Sequence, residues 1–466
     1  MAVTIDDGVV RHRIQDMDIP EVDFGTFLWN TCKQYGNRVA VTVADGTSCS
    51  YGQLCEQWLR VADALEWLGF GPGQRACVYA ANSQNLVFAI GGLLCAGGSI
   101  VFSKTVITTR EFRKEVEETC PSLVFCDVDS SEKCQEMVGV VPSLKHVIVF
   151  GEVEGLISFT KLLMDARPLE CRAPRGADAD TVMGAFNTSG TTGVAKRVAI
   201  SHRQWIAQLL ATRELADGQI GPKDLVLCAS ALTHISGFWL FCGCLAMGVP
   251  LLMLPSFDAA LLVPAVQKHR VTTIMTFPFY LRNLIDNAPS EAFESVDKVF
   301  IGGSPAPASL LLEAQDKFGF KFISQGYGLT ETCASVTSTG LKSSGFGSVG
   351  KPVPMAQLKV TDPSTGKKLD AGQKGEICVK APFTFMGYMN KPEETATAFD
   401  DEGFVRTEEL PNHAHLHGGI EFVDHIPKSE TGKNIRTGFM DALFQRRCYE
   451  PLKPAYPPEV HMTRMH

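Results

Sequence analysis

The chain lacks the Gly-Lys-Ser/Thr signature of a P-loop, which excludes the nucleotide enzymes built on it. It also lacks an excess of positive charge. Its 43 lysines and arginines against 51 aspartates and glutamates leave a net charge of −8. Nucleic acid and anionic lipid are therefore not attracted to the chain as a whole, and any anion site must be local. The fifteen cysteines follow neither metal-site nor secreted-framework spacing, and Cys242 and Cys244 sit in an apolar segment as core thiols. A reducing, cytoplasmic setting is the expectation. No apolar signal core stands beside Asp6, Asp7, Arg11 and Arg13, and no peroxisomal tripeptide closes the chain. The longest uncharged run, residues 235–257, is broken by Gly237, Gly243, Gly248 and Pro250. It reads as a helix, a turn and a buried strand, so no transmembrane segment is expected.

What is present suits a large α/β protein. The 466 residues are 45% hydrophobic and 20% charged, enough for two or three domains with a substantial core. Residues 1–27 read as an exposed lead-in. From Val39 onward short apolar strands alternate with amphipathic helices, among them a helix opened by the capping-box pair Ser50 and Gln53. That interval argues for doubly wound, mostly parallel sheets with helices on both faces. From Val349 to about Arg406 the strands become shorter, as in a small β-rich subdomain.

Three polar or glycine-rich segments follow strands in this pattern: residues 188–196, 302–305 and 325–332. Ligands in open α/β sheets sit beyond the carboxyl ends of strands. In the first segment, Thr188-Ser189-Gly190-Thr191-Thr192-Gly193-Val194-Ala195-Lys196, glycines let N–H groups converge on an anion, hydroxyls add donors, and Lys196 adds a point charge. In the third, Tyr327 can stack on a purine or serve as a core ring. Thr330 can bond an α-phosphate, and Glu331 can hold Mg2+ or complement a helix N-terminus. Taken alone, His234 reads as a core histidine, and Lys428 and Lys433 as surface residues.

The ordered set formed by residues 188–196, Gln325 to Thr332 and Pro427 to Lys433 resembles the adenylate-forming superfamily, which includes acyl- and aryl-CoA synthetases, beetle luciferases and peptide-synthetase adenylation domains. Gly375-Glu376-Ile377-Cys378-Val379 and Gly387-Tyr388 match it further. The likeness runs from about residue 25 to residue 440 and is nearest the acyl-CoA and coumarate-CoA ligase branch. It implies an AMP-binding domain over residues 28–406 and the remnant of an α+β C-terminal domain over 407–448, while the tail over 449–466, with four prolines and no heptad or sheet pattern, reads as disordered. The likeness also implies ATP, Mg2+ and coenzyme A as cofactors and a fatty or aryl carboxylic acid as substrate. By the same resemblance Thr188, Ser189, Gly190, Thr191, Thr192, Gly193 and Lys196 cradle the phosphates, with Thr191 and Glu331 at the metal. Gly302, Gly303, Ser304, Gln325, Gly326, Tyr327 and Gly328 surround the nucleotide. Thr330 holds the α-phosphate, His234 lines the mouth of the acyl pocket, and Lys433 reaches the reacting carboxylate.

The chain departs from the family in two places. Ala195-Lys196-Arg197 stands where the family has Pro-Lys-Gly. After Thr407 the family's Gly-Asp pair, its hinge and most of a rotating domain are missing, since only 25 residues separate Thr407 from Lys433. Two readings follow: an acid–CoA ligase with a shortened lid, or a nucleotide- and acyl-binding form without efficient turnover.

Overall fold

Local signals start the helices. Tyr51–Trp67, Thr109–Thr119 and His202–Ala216 each begin at a capping box, formed by Ser50 with Gln53, Thr108 with Glu111, and Ser201 with Gln204. Each box satisfies two backbone N–H groups that a helix end would otherwise leave unpaired. The computed structural model describes residues 3–164, 173–188, 196–341 and 346–407.

Two large sheets carry the fold. One has eight strands: Gly387–Tyr388, Arg197–Ser201, Val182–Asn187, Ser99–Phe102, Arg75–Tyr79, Leu123–Cys126, His146–Val149 and Ile157–Ser158 in spatial order. It is parallel from Val182–Asn187 onward and antiparallel at the edge formed by Arg197–Ser201 and Gly387–Tyr388. The other has nine strands, with a parallel centre running from Phe322–Leu329 through Lys298–Ile301, Thr273–Thr276, Val226–Cys228 and Leu251–Met253 to Val39–Val43. A third sheet of five antiparallel strands contains Gln357–Thr361, Glu376–Lys380 and Val405–Arg406.

One apolar cluster joins the two large sheets through helices Phe24–Lys33, Tyr51–Trp67, Gln84–Cys95, His202–Ala216 and Ile235–Met247. At its centre Phe102 stacks on Phe186 at 4.2 Å, and Trp205 lies 4.9 Å from Phe238. Separate clusters cover the other faces of each sheet, which gives the doubly wound arrangement expected of strands buried on both sides. Every described cysteine is a free thiol and all but Cys120 are buried. No helix among the described residues is long and apolar enough to cross a membrane.

The structure differs from the sequence reading in three places. The lead-in is not wholly exposed. Val3–Asp6 and Val9–His12 form a hairpin on the five-stranded sheet, and Val9 and Val10 are buried against Gln357–Thr361. Pairing across so great a sequence distance leaves no local signature. A parallel strand, Ser99–Phe102, follows the helix Gln84–Cys95 directly. Finally, residues 325–329 are not a turn but the end of an eight-residue strand, Phe322–Leu329, paired antiparallel with Ala334–Ser338. The glycines there admit a neighbouring backbone: a Cβ on Gly328 would lie 1.7 Å from the Ala334 carbonyl oxygen.

A single buried side chain, Asn82, ties the two large sheets together beneath the strand ends. Its amide nitrogen donates to the carbonyls of Ser230 (2.9 Å) and Leu254 (3.0 Å), and its oxygen accepts from the Leu232 N–H (2.8 Å). Asn82→Ala takes the side-chain partner from three backbone groups, of which the Ser230 carbonyl keeps the Cys228 thiol as a weak donor, and should lower unfolding free energy by roughly 2–4 kcal/mol. Asn82→Asp, which loses both donors, should not rescue it. Denaturant titration measures both.

His202 gives a pH signature. Its Nδ1 accepts from the Phe24 N–H at 3.0 Å, and burial holds its pKa down at about 4, against an ordinary 6.5. Below 6.5 the unfolded chain takes up a proton that the folded chain refuses, so this residue makes stability fall as pH drops from about 6.5 to about 4. His202→Gln should flatten that part of a stability–pH curve.

Candidate functional site

The glycine-rich segment joins two antiparallel neighbours of the eight-stranded sheet. Val182–Asn187 runs into it, Arg197–Ser201 leaves it antiparallel, and the Thr188 N–H donates to the Lys196 carbonyl at 2.9 Å, closing its base. Residues 189–195, assigned above to phosphate and metal, lie outside the described residues, as does Lys433. Buried charge pins the base. Arg197, in the position of the family's glycine, reaches helix Thr109–Thr119, pairing with Glu115 (3.4 Å) and Glu118. Asn187 also donates to Glu115, at 3.0 Å. Burial pushes the Glu115 carboxyl up from its usual range, and Arg197 pulls it back.

The strand ends of the nine-stranded sheet enclose a cavity of about 210 Å³. It brings together Thr188, His234, Gly302, Gly303, Ser304, Gln325, Gly326, Tyr327, Gly328, Thr330 and Glu331, which are scattered across nearly 150 positions of the chain. Gly303 sits at φ +77 with the Phe277 ring 2.7 Å from where a Cβ would be, so a larger residue would be strained and would also meet that ring. Tyr327 is buried along the cavity and Thr330 half-buried at its edge. Thr188 Oγ1, Thr276 Oγ1 and Gln325 Nε2, all on cavity-lining residues, are buried without a hydrogen-bond partner among the described residues. Buried polar groups are rarely left so, unless a ligand or water completes them.

Glu331 lies in the short turn Thr330–Thr332 between the strands Phe322–Leu329 and Ala334–Ser338. Thr332 braces that turn, accepting from the Leu329 N–H at 2.9 Å. Cys333 and Ala334 follow at φ 51 and 85, strain of a kind often found at functional sites. Burial pushes the Glu331 carboxyl up, while a hydrogen bond from the Tyr388 hydroxyl (2.8 Å) and the charge of Lys196 oppose the shift. The Lys196 ammonium stands 4.7 Å from the centre of the Tyr388 ring, within cation–π range. Sequence reasoning noted Tyr388 only as part of a motif. Its place between Lys196 and Glu331 had no local signal, because the tyrosine and the glutamate are 57 positions apart.

His234 caps helix Ile235–Met247, its Nδ1 accepting from the Ser236 N–H at 3.3 Å, and it lines the same cavity. A buried hard carboxylate beside phosphate-suited groups fits Mg2+, which binds through one or two carboxylates together with substrate phosphates. Among the described residues no group of three or more histidines, cysteines, aspartates or glutamates gathers as a metal cage.

The signature of the AMP-binding enzyme family matches residues 28–389, and the chain belongs to that family. Among curated relatives, the 4-coumarate–CoA ligase-like 2 protein of Arabidopsis thaliana is 29% identical over 396 residues, covering 80% of this chain and 68% of that protein. The luciferin 4-monooxygenase of Photinus pyralis is 26% identical over 375 residues, with coverage of 78% and 68%. Among solved structures, ATP-bound MatB from Rhodopseudomonas palustris is 26% identical with a TM-score of 0.75, covering 82% of this chain and 75% of that one. The luciferase-like enzyme of the Zophobas morio mealworm, at 21% identity and a TM-score of 0.78 over 86% of this chain and 94% of its own, shares the fold.

Removing one partner of a buried ion pair strands the other charge. Arg197→Met should therefore lower stability by roughly 3–5 kcal/mol, and adding Glu115→Gln should recover much of the loss. A double-mutant cycle by thermal or chemical denaturation reads the coupling.

Proposed function

We propose that the chain is an ATP-dependent acid–CoA ligase that joins a fatty or aryl carboxylic acid to coenzyme A through an acyl-adenylate. The observation that carries this reading is one cavity lined by Thr188, Gly303, Tyr327, Thr330 and Glu331, with Lys196 held nearby on Tyr388. In the first step an acid oxygen bonds to the α-phosphorus of ATP, and the bond to pyrophosphate breaks. In the second the thiol sulfur of coenzyme A bonds to the acyl carbon, AMP leaves, and the thiol proton passes to solvent.

Adenylation needs little covalent help from the protein. Its barrier falls when the acid is held in line and phosphate charge is neutralised. In this reading Lys196 and the segment 188–193 receive the phosphates, Thr330 the α-phosphate, and Gly302, Gly303, Ser304, Gln325, Gly326 and Gly328 border the adenine with Tyr327 against it. Glu331 and Thr191 hold Mg2+, which when bound supplies positive charge to the phosphate oxygens. His234 borders the acid, and Lys433 meets its carboxylate.

Calorimetry with ATP·Mg tests the site. Lys196→Ala and Glu331→Gln should each weaken binding, and Tyr327→Ala should do so by roughly 1–3 kcal/mol if the ring stacks on the base. Unchanged affinity in both charge variants would overturn the reading.

Low turnover is the second part of the proposal, favoured by the 25 residues between Thr407 and Lys433. That span replaces the hinge and rotating body with which the resembled family presents its lysine, and without them much of the effective molarity that fixed geometry supplies is forfeited. Steady-state acyl-CoA formation should fall well below roughly 1 s⁻¹, the low end of ordinary enzyme rates. A rate at or above that value refutes the second part and leaves the first standing.

A further inference from the structure

Beside the His234 cavity lies a second, mostly apolar space of about 60 Å³, bordered by Thr212, Ile220, Leu240, Gly243, Cys244 and Met247 among others. Leu215, Trp239, Met275, Phe300 and Ser338 line both spaces and form the wall between them. Trp239 is the largest of the five, and its position is fixed from one side. The indole N–H donates to Thr212 Oγ1 at 2.8 Å, and that hydroxyl donates onward to the Gln208 carbonyl, also at 2.8 Å. Helix Ile235–Met247 supplies Trp239, helix His202–Ala216 supplies Thr212 and Gln208, and the two helices pack together. An acyl tail that passes from the first space into the second at Trp239 must push the indole aside. That motion breaks the bond to Thr212 and leaves an indole N–H in apolar surroundings without an acceptor, an unfavourable state.

We propose that Trp239, held by Thr212, is the specificity-determining partition of this site. It admits compact carboxylic acids of aryl or short acyl size and excludes long acyl chains from the second space. This rests on the reading of the cavity as the acid site and narrows the substrate class. Removing the indole joins the two spaces into one longer apolar slot that ends near Gly243. A Cβ on Gly243 would lie 3.5 Å from Thr212 Cγ2, an ordinary contact, so the helix accepts a larger residue there and the slot can be closed again. Hydrophobic pockets discriminate by roughly tenfold or more per methylene they gain or lose.

The test uses the full chain with ATP·Mg and measures binding of cinnamate and of straight-chain acids from butanoate to hexadecanoate by calorimetry and thermal shift. The parent should prefer cinnamate and the shorter acids. Trp239→Ala should improve dodecanoate and longer acids by at least roughly tenfold relative to cinnamate, and Trp239→Ala with Gly243→Met should reverse the gain. Thr212→Val, which keeps the shape and removes only the acceptor, should shift the ranking the same way by a smaller factor. Equal binding of cinnamate and hexadecanoate by the parent overturns the partition. So does an identical ranking in parent and Trp239→Ala when both bind acids. If no acid of any length binds the parent, the reading of the cavity as an acid site falls, and the partition falls with it.

Discussion

The site forms where two sheets meet, and the buried Asn82 amide hydrogen-bonds across that meeting. It projects just beyond the strand Arg75–Tyr79 of one sheet and hydrogen-bonds loop backbone just beyond two strands, Val226–Cys228 and Leu251–Met253, of the other. Close apolar packing resists displacement of the two sheets, and the directional hydrogen bonds of one buried amide add a preferred register to it. The loop they hold, residues 230–232, leads directly into His234 and helix Ile235–Met247, so the clasp also places the candidate acid-binding residues. Stability and site geometry thus share a small polar feature, one of a few that cross between the sheets, as the Tyr388 hydroxyl on Glu331 also does.

Much of the fold was legible because its causes are local. The capping box at Ser50 and Gln53, the helical period after it, and the glycine and proline stops behave as their short-range chemistry requires. The alternation of strand and helix identified the doubly wound sheets for the same reason. The failures share a different cause. The pairing of Val9–His12 with Gln357–Thr361 and the strand character of Gln325 to Leu329 are decided by partners elsewhere in the chain. A glycine-rich stretch reads as a turn in one dimension. In three dimensions Gly328 is small because the Ala334 backbone lies against it.

The site residues divide the same way. The segments around Thr188, Gly303 and Glu331 stood out by composition, and the cavity gathers representatives of all three. What the sequence hid is the wiring between them. Tyr388 links Lys196 to Glu331, and Arg197 anchors the base of the glycine-rich segment to helix Thr109–Thr119. Neither pairing follows from spacing, and Arg197 drew notice only as a mild departure from the family pattern. That substitution has structural content. A glycine could not reach Glu115 and Glu118, so in this chain the base of the loop is fixed by charge.

These features give the site a common energetic character. Glu331 is held in a buried place that disfavours its charged form, with a phenol hydrogen bond and one lysine offsetting part of that cost. Lys196 rests on an aromatic face, a weaker partner than a carboxylate or phosphate. Thr188, Thr276 and Gln325 each have a buried polar atom without a partner among the described residues. A fold selected for stability alone would pair or remove such groups. Glu331 and Lys196 stand at the ends of paired strands, so a ligand of the proposed kind would meet them with little reorganisation. The cost falls on the folded state, and the stiff elements beneath, from the Asn82 clasp to the Arg197 anchor, are what allow the fold to carry it.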